Sequence, residues 1–169
     1  FAVWNLYNPS EGGKAVTLDF PAAGLPPGTE CLVFDFWQNK VVARAKDSFT
    51  SKALPQYSSE LLRFTPIGSG APVLVGSNLH LSIGATEIDN ILASGETLEI
   101  VLSDAGAQAG SLTFHSKRTL TALDAENCSI AGVEALGDDL WRVDLKDRQW
   151  GKPQTVTLAI GKPVAQATP

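Results

Sequence analysis

Thr97-Leu98-Glu99-Ile100-Val101-Leu102 places Leu98, Ile100 and Leu102 on one side of an extended chain and Thr97, Glu99 and Val101 on the other. Period two is the signature of a β-strand, whose successive side chains point to opposite faces. The pattern recurs. Val16, Leu18 and Phe20 alternate with Ala15, Thr17 and Asp19. Trp141, Val143 and Leu145 alternate with Arg142, Asp144 and Lys146, and Val156, Leu158 and Ile160 with Thr155, Thr157 and Ala159. One buried and one wetter face per strand is the habit of antiparallel sheets.

The run 31–37 is apolar on both faces, with Cys31, Val33 and Trp37 on one side and Leu32, Phe34 and Phe36 on the other. It predicts a central strand covered on both sides. Further strands are expected over 41–45, 60–66, 73–76 and 111–115. Turn chemistry punctuates the chain at 8–13, 26–28, 68–70, 94–95, 105–110, 137–139 and 151–153, at the short spacing of all-β proteins. The stretch 86–93 stays open: Thr86 and Asp89 suit a helical capping box, and the same residues suit a strand. The expected fold class is therefore all-β, an antiparallel β-sandwich, or two small β-sandwich domains in tandem. A change from aromatic- and proline-rich to regularly amphipathic sequence puts the boundary after Gly84. That gives 1–84, 85–163 and a frayed tail over 164–169.

The 169 residues are 44% hydrophobic and 18% charged, enough apolar content for a packed core. Net charge is −5, with an isoelectric point near 4.9. Nucleic-acid partners need a basic face to neutralise phosphates, and anionic lipid needs a basic cluster; the composition argues against both. No apolar run approaches the roughly 20 residues of a membrane-spanning helix, so no membrane insertion is expected. Cys31 and Cys128 sit among apolar neighbours and read as buried thiols, with a single bridge as the alternative. No Cys/His pair has metal-ligand spacing, so neither a metal nor a cofactor is expected. The chain opens inside an apolar run, Phe1-Ala2-Val3-Trp4-Asn5-Leu6-Tyr7-Asn8, and contains no Met, which reads as a piece of something larger.

Three stretches of the first half resemble the C-terminal β-domain of α-galactosidase (melibiase-like) glycoside hydrolases. Val3-Trp4-Asn5-Leu6 is similar to that family's strand after the barrel. Phe34-Asp35-Phe36-Trp37-Gln38-Asn39-Lys40 is similar to its Asp-x-Trp strand end and turn. The segment from Pro55 through Leu61-Leu62-Arg63-Phe64-Thr65-Pro66 leads to Val73-Leu74-Val75-Gly76-Ser77-Asn78-Leu79-His80-Leu81, which resembles its Gly-[Ser/Thr]-x-x-His-Leu segment. The resemblance covers about the first 90 residues. It implies a parent with a (β/α)-barrel carrying two catalytic aspartates, to which this chain would be a non-catalytic accessory domain. No catalytic residue carries over. The partner so implied is the chain's own catalytic barrel, with an oligo- or polysaccharide as the substrate nearby. The home so implied is periplasmic or secreted. Trp4 and Trp37 would be buried or face the barrel.

Other chemistry is thinner. Asp35, in an apolar strand, is either an acid with a raised pKa or, preferably, a strand-end carboxylate that binds the following turn. His80 and His115 are the only histidines, and neither has a nucleophile in a recognisable triad motif. His80 is expected to point away from a core formed by Leu79 and Leu81. Gly68-Ser69-Gly70-Ala71-Pro72 lacks the lysine and helix of a phosphate loop. The acidic turns Gly137-Asp138-Asp139 and Asp124-Ala125-Glu126 read as solvated rather than calcium-binding. Sugar binding is the chief alternative, because C–H faces of sugars stack on exposed rings. Trp141 and Trp150, with Arg142, Asp144 and Arg148, form the densest aromatic–polar mixture, and Tyr57 sits in the polar loop Gln56-Tyr57-Ser58-Ser59. Against this, Trp141 suits a core and Trp150 a cap over a sandwich end. A purely structural or interaction sandwich and an independent hydrolase are the remaining alternatives.

Overall fold

A computed structural model describes residues 1–68 and 70–163. The tail 164–169 and Ser69 of the 68–70 turn lie outside the described residues. The described chain is all-β: fourteen strands, a 3-10 turn at Pro21–Ala23, and no α-helix among the described residues. Every sheet is antiparallel. The chain divides into two compact units, Phe1–Ile67 and the part from Gly68 onward.

The first unit contains β1 (Ala2–Tyr7), β2 (Thr17–Asp19), β3 (Glu30–Asp35), β4 (Lys40–Lys46), β5 (Ser48–Thr50) and β6 (Ser59–Pro66). A four-stranded sheet runs β1-β6-β3-β4, and β2 pairs with β5. Its core holds Leu6, Leu18, Phe20, Cys31, Val33, Leu62 and Phe64. Phe64 meets Phe20 and Phe49 edge-on, each at 5.7 Å between ring centroids. Leu32 and Phe34, on the opposite face of β3, are buried as well, as the two-sided apolar run predicts. Trp37 departs from that prediction. The strand ends at Asp35, so Trp37 falls in the turn and is exposed instead of joining Cys31 and Val33.

The second unit is a sandwich of two four-stranded sheets, β12-β13-β10-β7 and β11-β14-β9-β8. Its strands are β7 (Val73–Ser77), β8 (Ile88–Ser94), β9 (Thr97–Leu102), β10 (Gly110–His115), β11 (Arg118–Glu126), β12 (Ser129–Gly137), β13 (Leu140–Lys146) and β14 (Gln154–Pro163). Leu98, Ile100, Leu102, Val143, Leu145, Val156, Leu158 and Ile160 all enter one core. Each such burial contributes about 1.5–3 kcal/mol against exposure. The ambiguous 86–93 stretch is a strand: β8 forms a hairpin with β9 through Gly95, whose φ is 61°. The boundary at Gly84 falls inside this unit. β7 pairs with β10, so Val73–Ser77 belongs to this unit despite a composition like that of the first half.

Candidate functional site

Aromatic residues gather at one end of the first unit's larger sheet. β1 lies against β6 with Tyr7 opposite Ser59 and Trp4 opposite Leu62. Beyond β3, the Phe36 N–H donates to Leu61 O at 3.0 Å, which carries the chain into the Trp37 turn beside the start of β6. The Tyr57 N–H donates to Asn8 O at 2.9 Å. Strands are spaced about 4.8 Å apart, so the backbones of Tyr7, Trp37 and Tyr57 lie within roughly 12 Å, and Trp4 is about 10 Å further along β1. Their exposures are 48% for Tyr7, 65% for Trp37, 62% for Tyr57 and 38% for Trp4. Tyr7, Trp37 and Tyr57 thus gather near one end of the sheet, and sequence reasoning missed Tyr7; Trp4, three residues from Tyr7 on β1, projects from the opposite face of the sheet.

Two buried polar groups set this surface. The Asp35 carboxylate accepts from the Gln38 backbone N–H and from Gln38 Nε2, each at 2.8 Å. It therefore binds the following turn and fixes the segment that presents Trp37, whose ring meets Phe36 edge-on at 4.9 Å. Asn8, fully buried, donates through Nδ2 to Gly12 O, Leu54 O and Pro55 O and accepts from the Ser10 N–H. It ties down the loop bearing Tyr57, which adopts a left-handed φ of 56°. Beside them, burial pushes the Glu60 carboxyl above its usual pKa, and the charge of Asp35 adds to the effect.

The sugar-binding set of the second half is dispersed. Trp141 is half-buried against the core and donates its Nε1–H to Ser116 O at 3.1 Å, so it is a core ring rather than a platform. Arg142 is engaged by Glu134 at 2.7 Å and Asp144 at 3.2 Å, a surface ion-pair ladder across β12 and β13. Arg148 is 1% exposed and cannot meet a ligand as expected. Its Nε donates to Gln154 Oε1 at 2.9 Å, and its terminal nitrogens donate to Ser103 O at 2.6 Å, Ala107 O at 2.8 Å and Ala105 O at 3.1 Å. Burial pulls its pKa down; the charges of Cys128, Glu87 and Asp104 oppose that. Trp150 alone of the set in this unit is an exposed ring, at 56%. It follows the far end of β13 from Trp141, and the strand between spans about 17 Å, so the two rings form no shared platform. Tyr57 belongs to the other unit.

A polar knot also forms at 80–87. Ser82 Oγ donates to Glu87 Oε2 at 2.6 Å and lies 3.0 Å from His80 Nδ1 and 2.7 Å from Thr86 Oγ1. The serine is saturated by these partners and by the Thr86 N–H, and it sits between His and Glu rather than at the end of a relay, which is not the order of a nucleophilic triad. Burial would raise the Glu87 carboxyl, but hydrogen bonds from Ser82, its own backbone, Ser77 and Gly84 hold it below its usual value. Leu81 is exposed rather than part of a core with Leu79, because the chain leaves the sheet after Ser77. Both cysteines are free thiols, Cys31 buried and Cys128 half-buried. Among the described residues no helix is long and apolar enough to cross a membrane. No protein-family model matches this chain, and no curated protein matches it.

Proposed function

We propose that the chain is a non-catalytic accessory β-domain that docks onto the catalytic barrel of an α-galactosidase-like glycoside hydrolase through the aromatic end of β1, β3 and β6. The observation that carries this is the gathering of Tyr7, Trp37 and Tyr57, all exposed, near one sheet end. Single exposed apolar residues are ordinary; several exposed aromatic rings near one sheet end mark an interaction surface. Trp and Tyr are also the residues most enriched where interfaces concentrate their energy. The resemblance supports the same reading, since its quoted stretches contain Trp4, Trp37 and Tyr57. Asp35 and Asn8 hold the surface rigid before any partner arrives, which lowers the entropic cost of docking.

The test is calorimetric titration of the chain with an α-galactosidase-type barrel from the same genome, using the intact chain and a Trp37→Ala/Tyr57→Ala variant. Trp37 exposes about 130 Å² of a roughly 200 Å² side chain, so burying it contributes on the order of 3 kcal/mol. A 1:1 complex weakened more than a hundredfold in the variant is the expected result. No association, or equal affinity for both proteins, overturns the proposal.

A further inference from the structure

Each four-stranded sheet has two edge strands, whose outer N–H and C=O groups invite pairing with another chain unless charge, a bulge or cover prevents it. Among the described residues, five of these six edges are guarded. β4 has Lys40, Arg44 and Lys46 and a register shift against β3, and β8 has Asp89 at a shift against β9. β11 and β12 each have two shifts and charged side chains, Asp124 and Glu134 among them. β7 is shifted against β10, and none of its five residues is exposed. β1 differs. It pairs with β6 over six consecutive positions without a shift, and no charged side chain occurs between Phe1 and Ser10. Trp4, Asn5 and Tyr7 on it are exposed.

Hydrogen bonds at the end of β1 fix which of its backbone groups face outward. The Asn8 N–H donates to Ser58 O at 3.0 Å, and Asn8 O accepts from the Tyr57 N–H at 2.9 Å, so Asn8 turns both groups toward β6. Backbone groups alternate sides along an antiparallel strand. Leu6, Trp4 and Ala2 therefore bond to β6, and Tyr7, Asn5 and Val3 point their N–H and C=O to the open edge. β6 has the matching phase: Leu61 O accepts from the Phe36 N–H at 3.0 Å on the β3 side, which leaves Glu60 and Leu62 for Leu6 and Trp4. Charge then favours one kind of partner. Phe1–Ile67 contains six acidic and six basic side chains, so the net charge of −5 lies wholly in the rest of the chain. A second copy of this unit brings neither a charged side chain on β1 nor a net like charge behind it.

We propose that β1 of one copy pairs antiparallel with β1 of a second copy, about a two-fold axis normal to the sheet at Asn5. Such an axis keeps each sheet face continuous when opposite residues share parity, and the contact is self-complementary. Val3 stands opposite Tyr7 of the second copy, and Asn5 opposite Asn5. The outward groups of all three residues on both strands are then satisfied. Tyr7 against Val3 is an aromatic–β-branched cross-strand pair, made twice. On the other face, Trp4 stands opposite Leu6 of the second copy in a non-hydrogen-bonded pair, the closer of the two spacings. Leu6 belongs to the core, so the exposed Trp4 ring covers the core's margin at that edge. The pairing makes one continuous sheet, β4-β3-β6-β1-β1-β6-β3-β4. It goes beyond the docking reading and shares only Tyr7 with that surface.

The test is sedimentation velocity of the whole chain from about 5 to about 500 µM, a range that brackets a small interface. A reversible monomer–dimer equilibrium is the expected result. Asn5→Pro removes an N–H that β6 does not use, a change edge strands tolerate, and should weaken the dimer at least tenfold with the core amide resonances unmoved. Asn5→Lys keeps every backbone group and places two ammonium groups at the axis. It should also weaken the dimer at least tenfold, with partial recovery in high salt. In a dimer of mixed isotope labelling, Trp4 Hα should show a nuclear Overhauser contact to Leu6 Hα of the other copy. A chain monomeric throughout the range, growth beyond dimers, or a dimer that neither Asn5 variant weakens overturns the proposal. The Trp37→Ala/Tyr57→Ala variant should dimerise like the parent, so failure of barrel docking and failure of this pairing are read separately.

Discussion

Replacing Arg148 with Leu should unfold the second unit selectively. The side chain is 1% exposed and supplies four hydrogen bonds, to Gln154 Oε1 and to the carbonyls of Ser103, Ala105 and Ala107. Leucine fills part of the volume and donates nothing. Each buried acceptor left unsatisfied costs about 1–3 kcal/mol. Local relaxation lets water reach the loop carbonyls, and losing the desolvated charge offsets part of the penalty. About 3 kcal/mol remains, of the order measured when one partner of a buried charged network is removed. For a unit of this size that lowers the melting temperature by roughly 12–15 °C. Arg148→Lys keeps the charge but not the planar fork, and should recover no more than about half of the loss. The assay is urea unfolding combined with hydrogen exchange read by mass spectrometry. Peptides from β9, β10 and β14 should lose protection while those from β3 and β6 keep it. A loss below 1 kcal/mol, or lost protection confined to the first unit, would refute the role assigned to the guanidinium.

Three further outcomes concern Glu87, Gly106 and Asn8. Glu87 has a folded pKa below its usual 4.5, so the stability it lends is complete above about pH 4.5 and disappears as pH falls through the folded value; Glu87→Gln should flatten the acid limb of the urea midpoint against pH, and identical limbs would contradict this. Gly106 has φ +91°, and a Cβ there would stand 2.5 Å from Leu79 O; Gly106→Ala should cost about 2 kcal/mol or more in thermal unfolding, and a neutral effect would mean that the loop is more yielding than its geometry. Asn8→Ala removes three side-chain donations to buried or half-buried carbonyls and should cost about 2–3 kcal/mol, with faster amide exchange around Tyr57 as its local signature.

The strands were legible because alternation is set by backbone geometry. Leu98, Ile100, Leu102, Val143, Leu145, Val156, Leu158 and Ile160 face inward as their spacing demands, and Asp35 binds its turn as a strand-end carboxylate should. The division of the chain was harder to read. Composition changes near Gly84, but β7 is claimed by β10 through pairing across more than thirty residues, which local pattern does not encode. Arg148 looked like a ligand-binding cation because charged residues are rarely fully buried; four acceptors contributed by distant loops reverse that expectation. Trp141 and Trp150 are nine positions apart and looked like one platform, yet an extended strand carries them apart. The aromatic end went unseen for the converse reason. Tyr7, Trp37 and Tyr57 are remote in sequence and adjacent only through the β1-β6-β3 register, although each sits near a turn signal that a hairpin reading could have brought together.

Hydroxyl-radical footprinting of the chain with and without an α-galactosidase-type barrel bears most directly on the proposed docking surface. Oxidation at Tyr7, Trp37 and Tyr57 should fall together in the complex, while Trp150 stays as reactive as in the free chain. Unchanged oxidation at those three rings in the presence of a formed complex, or release of nitrophenol from an aryl α-galactoside by the chain alone, would contradict a non-catalytic β-domain that docks by its aromatic end.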